Sequence, residues 1–209
     1  MTLPVVTISA PYGAAGPIVG RAVADRLGVP FLDRAIPTAV AQTLAVSLVE
    51  AEAHDERADT RVGRMLSALA ASGLGFGPTP QPGVPAEAFR EETERVIVAA
   101  AKRTGCVVLG RAAVMVLRDH PSALHTCLTG PLEQRIRQAM RLSNEGEDEA
   151  AVRKLVEETD RNRKAYFRHF YGVDPDDSSL YHVTLDSTAL DLDTCADFIA
   201  TAARLRSAS

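Results

Sequence analysis

Residues 4–20, PVVTISAPYGAAGPIVG, decide how the chain is read. Pro4 precedes a β-branched run, Val5, Val6, Thr7 and Ile8, that ends in the small residues Ser9 and Ala10. A short apolar run of this kind reads as a strand buried on both faces. Residues 10–16 hold two glycines and read as a tight turn, and Pro17 suits the first turn of a helix, where its missing N–H would have no partner anyway. That helix places Ile18, Val19, Ala22, Val23 and Leu27 on one face, with Gly28 able to close it. Strand, glycine-containing turn and helix form a natural phosphate site, because the first amides of a helix point at an anion. The same turn is also ordinary punctuation between a strand and a helix, so alone it decides little.

Downstream the alternation repeats. Residues 29–32 read as a second strand ending at Asp33-Arg34, and residues 36–72 are helical in composition, with a charged stretch at 50–64. Four glycines and four prolines in residues 73–85 force a loop or hinge. A helix follows over 87–103, with Thr93, Val96, Ile97 and Ala100 facing inward. Cys106-Val107-Val108-Leu109 is a third strand, stopped by Gly110-Arg111, and residues 124–129 are a fourth, followed by a helix marked by Leu132, Ile136, Ala139 and Met140. Residues 144–171 are highly charged, helical, and poor in apolar anchors. A last strand covers 181–186, and the final helix carries Leu192, Cys195, Ala196, Ile199 and Ala203 on one face. Strands alternating with helices predict an α/β fold with a mainly parallel sheet covered on both sides.

The totals fit one such domain. The chain has 209 residues, 46% hydrophobic and 24% charged, without Trp. A net charge of −4 argues against a nonspecific nucleic-acid coat, and no apolar run approaches a membrane span. No signal-peptide pattern opens the sequence, so a cytoplasmic location is expected. Cys106, Cys127 and Cys195 lie in apolar stretches without CxxC spacing and read as buried thiols, and the five histidines lack ligand spacing, so no metal-ligating residues are assigned.

At this point a family resemblance emerges from the order of several motifs. Ile8-Ser9, Tyr12-Gly13, Gly20 and Phe31-Leu32-Asp33-Arg34 come first. Phe89-Arg90-Glu91, Val108-Leu109-Gly110-Arg111 and residues 128–135, LTGPLEQR, follow, and then Asp160-Arg161-Asn162-Arg163 with residues 183–187. Together they resemble the cytidylate-kinase-like proteins, a divergent bacterial branch of the nucleoside monophosphate kinases, many of which lack the lysine of the phosphate-binding loop. The resemblance implies a three-layer P-loop kinase-like α/β fold with a parallel sheet and helices on both faces. Its core would comprise residues 1–34, 87–143 and 176–209. A helical acceptor-binding insertion would cover about 35–86 and a helical lid about 144–175.

It also implies a site. Gly13, Ala14, Ala15, Gly16 and Pro17 would wrap the phosphates of ATP, with Mg²⁺ as the accompanying ion. Arg34 would begin the acceptor subdomain, and Arg90 and Arg111 would clamp the acceptor monophosphate, as paired guanidiniums can. Asp160 and Arg163, with Arg161 beside them, would form the catalytic lid group. Phosphoryl transfer needs positioning and charge neutralisation rather than a covalent nucleophile, so mobile arginines suit it.

Plainer readings stand beside these. Arg90 and Glu94 are one helical turn apart and could be a surface pair, Asp160 could pair with Lys164, and the run Arg161, Arg163, Lys164, Arg168 could be a wet helical face. The sequence also departs from the working pattern. Gly16 and Pro17, or Pro17 and Ile18 in the register one residue on, stand where the loop's Lys and Mg²⁺-holding hydroxyl belong, Ala112 where the family has Asp, and Val156 where it has Arg. Three functions stay open: ATP-dependent phosphorylation of a nucleoside monophosphate, with CMP the leading acceptor; a kinase for another small phosphorylated metabolite; and a catalytically weak or inactive nucleotide-binding regulator.

Overall fold

The protein is described by a computed structural model over residues 3–33, 86–143 and 148–208. Residues 34–85, which carry Arg34 and nearly all of the expected insertion, lie outside the described residues. Five strands, β1 (Val5–Ser9), β2 (Phe31–Leu32), β3 (Cys106–Leu109), β4 (Ala123–Thr129) and β5 (Val183–Asp186), form one sheet in the order β2-β3-β1-β4-β5. Every pairing is parallel. Val5 sits opposite Cys106 on one side and Ala123 on the other, so β1 is the central strand and is buried along its whole length.

Six helices accompany the described strands: α1 (Gly16–Leu27), α2 (Ala86–Arg103), α3 (Ala113–Val116), α4 (Leu132–Leu142), α5 (Glu149–Tyr171) and α6 (Leu192–Ala208). Side chains alternate across a strand, and each sheet face has its own core. Val6, Ile8, Val107 and Leu128 pack against Val19 and Val23 of α1 and Ile199 of α6. Val5, Cys106, Val108 and Ala123 pack against Ile97 and Ala101 of α2 and Leu117 just beyond α3. Burial on both faces explains why the strands read as continuous apolar runs rather than as alternating ones.

Four local expectations change. In α1 the inward line is Gly16, Val19, Gly20, Val23 and Ala24, whereas Ile18 is 46% exposed. The helix turns its smallest residues to the sheet side, and Phe31 packs where a Cβ on Gly20 would stand. β2 keeps only Phe31–Leu32, because Pro30 has no N–H and joins the sheet through its carbonyl alone, bonded to the Val107 amide. In α2, Thr93 and Ile97 are buried as expected, but Ala101 joins them while Val96 and Ala100 are half-buried. The charged helix α5 is well anchored: Val152, Val156, Thr159, Arg163 and Phe167 form a buried stripe at helical spacing. Its ends are capped by the Asp148 carboxylate, which accepts from the Ala151 amide, and by Gly172, whose amide donates to the Arg168 carbonyl.

All three cysteines are buried free thiols. Burial pushes Cys106 up to about 12 and Cys127 up to about 11, so neither is a nucleophile near neutral pH.

His125 is a buried group with a clear titration consequence. Its Nδ1 shares a 2.9 Å hydrogen bond with the Thr7 hydroxyl, and its ring stacks on His182 at 4.9 Å. Burial first, then the positive fields of His182, Arg206 and His120, pull His125 down to about 4 from 6.5. His182 is shifted in the same direction, again chiefly by burial. Between those values the unfolded chain takes up a proton that the folded chain refuses. Stability is therefore full above about pH 6.5, falls as pH drops toward 4, and levels off for this group below it. The loss is expected to reach roughly 3 kcal/mol. Urea unfolding from pH 7.5 to 4 should show it, and His125→Gln should flatten the slope over that window.

Candidate phosphate-binding site

The loop between β1 and α1 lies at the carboxyl end of the central strand. The chain leaves β1 toward β2 on one side and leaves β4 toward β5 on the other, a reversal of direction at which open α/β sheets receive ligands. The backbone turns sharply through Gly13 at φ 81° and Ala15 at φ 54°. Gly13 is required twice over: its φ is left-handed, and a Cβ there would collide with the backbone carbonyl of Arg135 on α4. Ala15 carries a Cβ in a conformation that L-residues avoid, so the surrounding contacts must hold it.

Those contacts are specific. Arg135 Nη1 donates to the Tyr12 carbonyl at 2.7 Å, Gln138 Nε2 to the Gly13 carbonyl at 3.0 Å, and Ser187 Oγ to the Ala14 carbonyl at 2.9 Å. Three consecutive carbonyls are thus tied down by side chains from α4 and from the end of β5. Of the amides, Ala14 donates to Pro11, and Ile18 and Val19 both donate to the Ala15 carbonyl. Among the described residues the amides of Gly13, Ala15 and Gly16 have no acceptor. Pro17 supplies none, so the helix end offers fewer donors than a helix terminus ordinarily does.

Positions 16 and 17 bear on the missing cation and hydroxyl. A Cβ on Gly16 would meet Ala10 and Leu109 at 2.9 Å, so this position faces the core. Pro17 offers Mg²⁺ no hydroxyl, so an accompanying ion would have to be held by phosphate oxygens, water and one or two carboxylates.

The expected lid group is divided. Arg163 is 3% exposed and already committed: it donates to Ser9 Oγ at 2.8 Å, to the Pro175 carbonyl at 3.2 Å and to Asp176 at 3.0 Å. The space it shares with Ser9, Gly110 and Phe167 is about 10 Å³, room for one water at most. Asp176 also pairs with Lys164 at 2.5 Å. Burial opposes its ionisation, yet hydrogen bonds from Lys164 and Arg163 hold it below the usual carboxylate range. Asp160 pairs with Arg135 at 2.8 Å, not with Lys164. Arg161, between these two engaged neighbours, is exposed.

On the other side of the sheet centre, Arg111 follows β3. It does not open a helix: Arg111 and Ala112 form a left-handed turn at φ 58° and 48°, and α3 behind them has only four residues. Its guanidinium is 8% exposed and lies 3.5 Å from the Asp33 carbonyl at the end of β2. Burial pulls it down to about 10, against the opposing fields of Asp33 and Tyr166, so it remains cationic at neutral pH. Arg90 does form the expected pair with Glu94, at 2.6 Å, and also lies over the Phe170 ring at 5.8 Å. Tyr171 donates to the same Glu94 oxygen at 2.8 Å, tying α2 to α5. Sequence reasoning missed Arg135, Gln138 and Ser187 as site residues. Arg135 and Ser187 carried a signal only as the last residues of quoted motifs, and Gln138 carried none.

Ala112 and Val156, which replace polar residues of the family pattern, are 2% and 0% exposed. Ala112 packs with Phe167, and Val156 with Ile136 and Ala139. Both positions now serve packing.

Comparison with solved structures bears on the fold. An uncharacterized protein from Eubacterium ventriosum superposes with a TM-score of 0.67 at 19% identity, covering 98% of this chain and 99% of that one. Shikimate kinase from Bacteroides thetaiotaomicron superposes with a TM-score of 0.51 at 12% identity, covering 95% and 97%. These likenesses establish a P-loop kinase fold. No curated protein gives a match. The model of the cytidylate kinase-like family matches residues 5–189, from β1 to just beyond β5, and the chain belongs to that family.

Proposed function

We propose that this protein transfers a phosphoryl group from ATP to a nucleoside monophosphate, with CMP the first acceptor to test. The observation that carries the reading is the loop: three carbonyls are held away while the amides of Gly13, Ala15 and Gly16 are left to an anion at a crevice. In this reading the core and α5 enclose the donor, residues of the expected insertion with Arg34 approach the acceptor, and Arg90 and Arg111 receive its phosphate. Arg111 is suited to this by position, since a buried, permanently charged guanidinium beside Asp33 is pre-organised rather than recruited. The work of the chain is to align donor and acceptor and to balance charge; no side-chain nucleophile is required. Arg161 is exposed and lies on the side of α5 away from the buried stripe of Thr159 and Arg163, so in this reading it serves the transfer only if α5 shifts when the site closes.

A second reading, nucleotide binding with little or no turnover, is favoured by a specific observation: Arg163 is locked on Ser9 and Asp176, and neither position 16 nor 17 supplies a cation or hydroxyl. Incubation of the protein with ATP, Mg²⁺ and a panel of monophosphates, followed by direct detection of ADP and diphosphate products, separates the two. ADP formed only in the presence of one monophosphate supports transfer. ATP binding without product supports the second reading.

Two variants test the site assignments. Arg111→Ala should weaken CMP binding by about tenfold or more, the worth of a charge-assisted contact, while leaving ATP affinity nearly unchanged. Equal loss for both nucleotides in calorimetry would remove Arg111 from the acceptor site. Gly16→Lys should fail to improve ATP binding and should lower the melting temperature, because the new side chain starts against Ala10 and Leu109.

A further inference from the structure

Among the described residues, Arg135 is the one side chain that bonds the loop, the turn before α4 and helix α5 at once. It is 7% exposed. Nε donates to the Gly130 carbonyl at 3.0 Å, Nη1 to the Tyr12 carbonyl at 2.7 Å and Nη2 to Asp160 Oδ2 at 2.8 Å. We infer that Arg135 and Asp160 form a positioning clasp that sets the shape of the anion-receiving loop, so that donor affinity depends on the docking of α5. The inference rests on the proposed donor site for its ligand, though not for its geometry.

Three observations carry it. First, the three acceptors lie on separate elements and need the fork of a guanidinium; a lysine ammonium has the charge without the fixed directions. Second, the bond to Tyr12 falls at the residue before Gly13, whose own space is closed by the Arg135 backbone. Shifting Arg135 therefore moves the loop from both sides. Third, the ion pair is a poor device for stability. Asp160 Oδ1 is buried and accepts no hydrogen bond among the described residues, so the carboxylate is only partly compensated for its desolvation. A carboxylate kept at such a cost, on a helix otherwise anchored by Val152, Val156 and Phe167, points to a role in shaping the loop. Asp160, which the family pattern assigns to the lid, here acts through Arg135.

The test compares the full chain with Asp160→Ala and Arg135→Lys. It reads ATP affinity by calorimetry with Mg²⁺, thermal unfolding, and amide hydrogen exchange at Ala14, Ile18 and Val19, whose bonds define the loop. Asp160→Ala should melt several degrees below the parent, because the Arg135 guanidinium loses its counter-ion, while remaining cooperatively folded. It should bind ATP about tenfold more weakly, and exchange those three amides about tenfold faster with β4 and α6 unchanged. Arg135→Lys should lose ATP affinity to a similar extent although its charge is kept. Parent-like ATP affinity in Arg135→Lys would mean that charge alone matters and would overturn the clasp. So would unchanged loop exchange in Asp160→Ala, or a large drop in melting temperature with faster exchange everywhere, which marks a merely structural pair. If the parent binds no ATP, the proposed function fails, and the exchange of Ala14, Ile18 and Val19 still decides the clasp.

Discussion

The loop after β1 is held by its carbonyls, and much of the rest of the described structure is arranged around that fact. A peptide plane that turns its oxygen toward the body of the protein must turn its N–H away from it. Arg135, Gln138 and Ser187 each fix one such oxygen, and they come from residues far along the chain, on α4 and at the end of β5. The turn is consequently not a local motif that the sequence around Gly13 could form unaided. It exists only once β4, α4 and β5 are in register with β1, which is what the parallel pairings of Thr7 with His125 and of Thr129 with Asp186 provide. The left-handed Ala15 is tolerated on the same terms, because the contacts around it leave the backbone no easier path.

This origin explains how the fold could be read from the sequence while the site could be read only in outline. The strands are marked by short, largely apolar runs at 5–9, 106–109 and 123–129, and the helices by apolar periodicity closed by Gly28 and Gly172; those signals are local. Arg90 and Arg111 were visible because each stands in a short motif, and the Arg90–Glu94 pair follows from helical spacing. The partners of the loop were not visible. A glutamine on the buried side of α4 and a serine after β5 look like any polar residues until the tertiary structure aims them at Gly13 and Ala14. Helix α5 misled in the opposite way. Its many charges concealed a stripe at 152, 156, 159, 163 and 167 in which a threonine and an arginine occupy buried positions.

The position of Arg163 changes how the charge balance of the site is understood. An arginine that swings in with a closing lid must lose side-chain freedom when it arrives. Arg163 is already ordered beneath the loop, bonded to Ser9 at the end of β1 and balanced by Asp176, which also holds Lys164. Its field acts on the crevice from below whether or not a ligand is present, and Asp176 reduces it. The crevice therefore lacks the single unopposed lysine of a standard phosphate-binding loop. It has two arginines, 135 and 163, each sharing its charge with a carboxylate. Attraction for a polyphosphate under these conditions depends on backbone amides and their fixed direction more than on net charge.

Helix α5 brings these threads together. At about 1.5 Å per residue its 23 residues extend about 34 Å, enough to pass both halves of the crevice. Near its start Val152 and Val156 pack on α4; at its middle Asp160 and Arg163 reach the loop and β1; near its end Phe167 packs on Ala112, and Tyr171 joins Glu94 and Arg90. Each fully buried apolar side chain in this row is worth roughly 1.5–3 kcal/mol. Undocking the whole helix would forfeit several kcal/mol, comparable to the stability of a small domain. Ala112 and Val156 both lie inside the packing that seats α5. Helix α5 thus carries contacts to the Arg90–Glu94 pair at one end and to Arg135 at its middle.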